Sequence, residues 1–142
     1  MRPILVCSLL LVCASARSDG HHLAAPPLDL TARALVHQKM ASHSKQMTEL
    51  VWAVVLLDYA QSASIAGAIG SEVRLARPTT GDATELGAAL SPRFFELQDQ
   101  LRARARQLEV AARLRDSAAT AKAYGALAET CVSCHDAFLS AR

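Results

Sequence analysis

The segment Cys131-Val132-Ser133-Cys134-His135 places two thiols and an imidazole at the C-x-x-C-H spacing that covalent haem attachment requires. Thiols three residues apart lie one helical turn from each other, so both can add to the vinyl groups on one porphyrin edge. The imidazole of His135 can then donate a ring nitrogen to the iron as its proximal ligand. The motif therefore predicts one haem c, bound through Cys131 and Cys134.

Three other chemistries use a C-x-x-C pair, and the surrounding sequence favours none of them. A thioredoxin-like motif belongs to a βαβ unit, whereas residues 118–130 are rich in alanine and helix formers. A zinc site needs further ligands, and the available His21 and His22 lie in a polar, proline-flanked N-terminal segment. A disulfide between Cys131 and Cys134 would be strained within a helix.

The first 16 residues have the pattern of a secretory signal peptide. Arg2 supplies a positive charge, residues 3–13 are apolar, and residues 14–16 form an A-x-A cleavage site. The apolar stretch is shorter than the roughly 20 residues that span a bilayer. This pattern predicts export, with a periplasmic mature protein and no transmembrane segment.

Cys13 leaves a second processing route open. It could end a lipoprotein signal, although the valine before it is larger than the residue expected next to a lipidated cysteine. Cleavage after Ala16 would remove both Cys7 and Cys13. The mature chain would then keep only the two thiols of the C-x-x-C-H motif.

Composition excludes several classes of function. The 142-residue chain has a formal net charge of +2, so nothing indicates nucleic-acid binding or attraction to an anionic membrane. It contains no Ser/His/Asp set, carboxylate pair or glycine-rich phosphate loop, which leaves hydrolase and nucleotide chemistry without support. Its many alanines and few aromatic residues suit closely packed helices whose core is completed by a large, flat cofactor.

Hydrophobic periodicity predicts four helices and no strand. A flexible leader over 17–28 precedes a single domain over 29–142, in which the second helix covers about 58–72. Ser91-Pro92 begins the third helix and Asp116 caps the fourth. The short turns between most helices favour an all-α, antiparallel four-helix bundle with the haem in its interior.

The first helix is expected to turn one apolar face toward the core and to end in a buried apolar run over 50–57. The third helix should bury a seam made of Phe94, Leu97, Leu101, Ala105, Leu108 and Ala111 or Ala112. The predicted inward residues of the first helix are Leu30, Ala34, His37, Met40, Ala41, Ser44, Met47, Val51 and Val54.

A haem motif at the end of the last helix of a four-helix bundle resembles the class II c-type cytochromes, the cytochrome c′ and cytochrome c-556 group. Residues 124–138 look like the final helix of that family, and residues 33–43 resemble its first helix. The resemblance implies covalently bound haem. Relatives often form a homodimer through the first helices, and the sequence leaves both a monomer and such a dimer open for this chain. The sequence departs from the family at Leu139, where members commonly carry a basic residue near the proximal haem face.

The resemblance also implies a distal ligand. In the family, the residue four positions after an arginine in the first helix is methionine in six-coordinate electron carriers and apolar in gas-binding members. Arg33 places His37 there, which implies bis-histidine ligation and a potential below that of a His/Met site. Met40 is the competing ligand, and His37 could instead bond a carbonyl or a propionate. His43 and Met47 are expected to pack, and Arg33 to pair with a haem propionate or stay solvated.

These features predict an exported monohaem cytochrome that is not an enzyme and carries single electrons between periplasmic redox proteins. A five-coordinate protein that binds NO or CO at the distal face is the alternative. A peroxidase-like enzyme would need an open distal site, with His37 as the acid–base group.

Overall fold

The protein is built of helices, as a computed structural model describes for residues 30–80, 87–88 and 90–139. The predicted signal peptide and leader, including Cys7 and Cys13, lie outside the described residues. Within those residues there is no strand, so the all-α prediction is confirmed. The helices are α1 (Leu30–Val55), α2 (Tyr59–Ser71), α3 (Pro92–Arg113) and α4 (Ser117–Leu139).

The helices form the predicted antiparallel four-helix bundle. α2 packs against α1 and α3, and α3 packs against α4. α1 and α4 close the ring but touch only slightly, while α2 and α4 occupy diagonal corners without contact. The side of the bundle between α1 and α4 is therefore more open than the other three.

The α1–α2 and α3–α4 turns have the same construction at one end of the bundle. Leu57 and Arg115 adopt left-handed backbone conformations, with φ of 58° and 54°. The residue after each, Asp58 or Asp116, accepts a 2.9 Å hydrogen bond on its carboxylate from the amide three residues later. The Arg115 guanidinium lies 5.4 Å from the centre of the Tyr59 ring and so joins the two turns. The predicted capping by Asp116 is confirmed.

The core consists of two hydrophobic clusters. The larger one joins all four helices and is centred on the fully buried Leu50, Leu108 and Leu127. The smaller one lies at the other end of the bundle, where Phe94 meets Phe95 and Phe138 edge to face. The predicted seam of α3 is therefore confirmed. Its buried members are Phe94, Leu97, Ala105, Leu108, Ala111 and Ala112.

The predicted inward face of α1 is confirmed only for the C-terminal part of the helix. Leu30 is 82% exposed, and Ala34, His37 and Ala41 are also exposed, whereas Met47 and Val51 are partly buried and Val54 is buried. α2 has 13 residues against 26 in α1, so it spans about 20 Å beside a helix of about 39 Å. It covers only the C-terminal half of α1. The run over 50–57 is likewise only partly buried, with Trp52 at 63% exposure.

After α2 the chain runs back along α3 as a strap, residues 72–80. The Gln98 side chain bonds the backbone of Leu75 in both directions, at 2.9 and 3.1 Å. The Asp99 carboxylate accepts a 2.8 Å hydrogen bond from Arg77, and this bond lowers the pKa of that carboxyl. These contacts fix the strap against α3.

Two glycines should respond oppositely to substitution by alanine. A Cβ at Gly87 would collide with the backbone carbonyl oxygen of Ala76, whereas a Cβ at Gly125, in mid-α4, meets nothing within 4 Å. Gly87→Ala should therefore lower the free energy of unfolding by about 1–3 kcal/mol, and Gly125→Ala should raise it by about 0.5–1 kcal/mol. Urea unfolding of the two variants checks this, and a shift of the same sign in both would contradict it.

A buried hydroxyl follows each of the two similar turns, and only one has a hydrogen-bond partner within the described part of the chain. Thr120 Oγ1 donates to the Asp116 carbonyl at 2.6 Å, while Ser62 Oγ is buried without a partner. Because an unpaired buried hydroxyl costs about 1–3 kcal/mol, Ser62→Ala should leave the unfolding free energy unchanged or raise it. Thr120→Val should lower it by about 0.5–1.5 kcal/mol. Thermal unfolding of both variants would contradict the assignment if Ser62→Ala proved the more damaging.

Candidate functional site

A cavity of about 550 Å³ opens between α1 and α4, where these helices barely touch. Its size lies within the range of roughly 300–1,000 Å³ that is usual for small-molecule and cofactor sites. α1, α3, α4 and the start of the 72–80 strap form its walls. Most of the lining is apolar, and the contributing side chains include Met40, Met47, Val51, Phe94, Leu97, Leu101, Tyr124 and Ala128.

The three residues of the attachment motif line this cavity together. α4 remains helical to Leu139, so Cys131 and Cys134 lie on the same face of the helix, one turn apart, and His135 adjoins them. The two cysteines are free and partly buried. Burial raises the pKa of both thiols, and the neighbouring Cys131 raises that of Cys134 further. The thiols thus stay protonated at neutral pH, which slows their oxidation before they react.

The α1 wall of the cavity carries Met40, His43 and Met47. The Nε2 atom of His43 lies 2.9 Å from Glu72 Oε2, and its side chain is only 12% exposed. His43 was expected simply to pack, and the structure adds this polar partner. The partly buried Met47 packs against the larger core cluster, as expected.

His37 and Arg33 lie outside the cavity. Both are exposed, and neither contributes to its lining. The inward position one turn before Met40 belongs to Val36, which packs against the Phe94 cluster. The structure thus does not bring His37 or Arg33 together with the attachment motif, and iron ligation by His37 and propionate binding by Arg33 stay predictions. The 4-3-4 spacing of Val36, Met40, His43 and Met47 was the available signal for the inward face.

Sequence reasoning missed a group of charged residues at one side of the cavity, here called the polar corner: Lys39, His43, Glu72, Arg74 and Arg102. Lys39 Nζ lies 3.2 Å from Glu72 Oε1 and donates a 2.9 Å hydrogen bond to the carbonyl of the residue after Glu72. Arg102 donates a 2.7 Å hydrogen bond to the backbone carbonyl of Glu72.

Glu72 is the centre of the polar corner. Burial acts to raise the pKa of its carboxyl, but hydrogen bonds from His43 and Lys39, and their charges, outweigh it and lower that pKa. Glu72 is therefore ionised at neutral pH. Its partners on α1 stand 29 and 33 positions away in the sequence, so no local pattern could identify the group.

Two alternatives for the cysteines find no support in the structure. Across residues 30–80, 87–88 and 90–139, no group of three or more His, Cys, Asp or Glu side chains is placed to hold a metal ion. Cys131 and Cys134 are not joined as a disulfide. His21 and His22 lie outside the described residues.

Within residues 30–80, 87–88 and 90–139, no helix is long and apolar enough to span a membrane.

The residues present fit a haem. Two thiols and an imidazole are the donor set of c-type attachment, and all three border an apolar cavity of about 550 Å³. The cavity lies between α1 and α4, in a space that the side chains of these two helices do not fill. Cys131 and Cys134 would bind the porphyrin and His135 its iron.

Comparison with known proteins agrees with this site. Residues 80–139 match the family model described as Cytochrome C'. The matched segment contains α3, α4 and the C-x-x-C-H motif, and the family implies a covalently bound haem c. The chain has no significant match among curated proteins or among solved structures. The matched segment and the four-helix bundle are together consistent with a class II c-type cytochrome of the cytochrome c′ family.

Proposed function

We propose that the protein is an exported monohaem cytochrome that carries single electrons between periplasmic redox proteins. The observation that carries this proposal is the shared position of Cys131, Cys134 and His135 on one wall of an apolar cavity. When bound, the haem supplies an iron that alternates between two oxidation states by one electron. The signal pattern of residues 1–16 supports export, with cleavage after Ala16 favoured over lipidation at Cys13.

The protein contributes fixed geometry and an apolar environment. Covalent attachment through two thiols holds the group on α4 without relying on the affinity of the cavity. Leu97, Leu101 and Met47 give the other walls an apolar surface. A fixed, apolar site reorganises little when its charge changes, which favours rapid gain and loss of an electron.

The arrangement of α1 favours Met40 over His37 as the sixth ligand. Met40 lines the cavity across from α4, whereas His37 lies roughly 60° around the helix and is exposed. Ligation by His37 would require α1 to rotate. His43 also lines the cavity, but its Nε2 atom is engaged by Glu72. A thioether ligand would raise the potential above that of a bis-histidine site.

One observation favours the gas-binding alternative. With His37 outside the cavity, no free imidazole faces it from α1 in the described chain, and a diatomic ligand could enter if Met40 does not bind the iron. The peroxidase-like alternative loses support for the same reason, because the histidine assigned to acid–base catalysis is exposed.

Covalent attachment tests the cytochrome assignment. We expect the full chain, expressed with a c-type maturation system, to carry haem that survives denaturing electrophoresis and adds one haem mass. Cys131→Ala with Cys134→Ala should abolish both signals, because no described thiol then remains. Ser133→Ala, within the same motif, should retain them. Covalent haem in the double cysteine variant would refute the assignment.

Visible and electron paramagnetic resonance spectra, with and without carbon monoxide, identify the sixth ligand. Met40→Leu should convert a low-spin iron to a high-spin, carbon monoxide-binding form, while His37→Ala and the control Met47→Leu should leave it low-spin. Loss of the low-spin signal in His37→Ala alone would instead establish the bis-histidine prediction. A wild-type protein that is high-spin and binds the gas would favour the alternative function.

A further inference from the structure

We infer that the polar corner is the subsite that receives the two propionate carboxylates of the haem, with Lys39, Arg74 and Arg102 as the binding cations. This inference rests on the proposed function. It assigns these residues a role that the sequence had given to Arg33.

Position in the bundle supports the assignment. The thiols belong to α4, whereas Glu72 stands at the end of α2, and α2 and α4 occupy diagonal corners of the bundle. Vinyl and propionate groups project from opposite edges of a porphyrin. A porphyrin bonded to Cys131 and Cys134 through its vinyl edge therefore directs its carboxylates away from α4, toward the polar corner.

The charges at the cavity match those of the ligand. Its lining contains three permanent cations and one carboxylate, that of Glu72. The surplus of two positive charges equals the charge of two ionised propionates. Two positive charges without counter-charges beside an apolar cavity would cost free energy. Among the described residues, the other walls of the cavity carry no lysine, arginine, aspartate or glutamate.

The contacts of the cations leave their charge available. Arg102 bonds the Glu72 carbonyl, and Lys39 bonds the carbonyl that follows it, which orients both side chains without neutralising them. The one carboxylate that Lys39 contacts is shared with His43. Arg74 lies 3.4 Å from Asp99, which accepts a shorter bond from Arg77.

Substitution of the cations tests the inference. Cations beside the haem favour its reduced state, so Lys39→Met and Arg102→Met should each lower the reduction potential of the haem-loaded protein. Glu72→Gln should raise it. Lys45→Met and Glu49→Gln, at exposed sites on α1 outside the cavity, are matched controls that should leave the potential unchanged, because solvent screens their charges.

A second measurement distinguishes direct contact with the propionates from a long-range electrostatic effect on the haem. In reduced-minus-oxidised infrared spectra of haem labelled isotopically at the propionates, Lys39→Met and Arg102→Met should shift the carboxylate stretching bands, and Lys45→Met should not. Unchanged bands in both cation variants would overturn the inference, even if the potential moved. Potentials equal to those of the controls would also overturn it. In either case covalently attached haem would leave the proposed function intact, whereas a chain without haem would refute the proposed function itself.

Discussion

The separation of α1 from α4 is the constraint on which the site depends. α2 packs against α1 and α3, and α3 packs against α4, but α1 and α4 barely touch. The cavity occupies the space between them, beside residues 39–51 of α1. α2 ends after 13 residues, and the strap that follows it runs along α3 and leaves this space open. A closer approach of α1 to α4 would fill the space with side chains and leave no room for a cofactor.

Beside the cavity, α1 is held by polar contacts as well as by its apolar packing at either end. Lys39 and His43 reach Glu72 at the end of α2, and Arg102 of α3 binds the backbone at the same residue. Exposed ion pairs contribute little to stability, but Lys39 and His43 are partly buried and share one carboxylate. Together these contacts fix the position of α1 and leave the space beside it open. A hydrophobic contact at the same place would tend to close that space.

Much of this fold could be predicted from the sequence because its signals are local. The cap at Asp116 depends on neighbours within one helical turn, and the seam of α3 recurs every three or four residues, so both were predicted and the structure confirms both. The rotation of α1 could not be predicted in the same way. Its apolar and polar residues mix around the helix, so its inward face depends on which neighbours are present. The link between His43 and Glu72 spans 29 positions and leaves no periodic trace.

The exposure of His37 follows from the same geometry. With Val36 packed against the Phe94 cluster and Met47 packed on the larger cluster, both ends of the inward face of α1 are fixed. Rotating His37 inward by roughly 60° would pull both apolar side chains out of contact and carry Lys39 and His43 away from Glu72. The energy of ligation by a second imidazole would have to exceed the loss of all these contacts. Met40 already lies on the inward face, so ligation by its thioether requires none of those contacts to break.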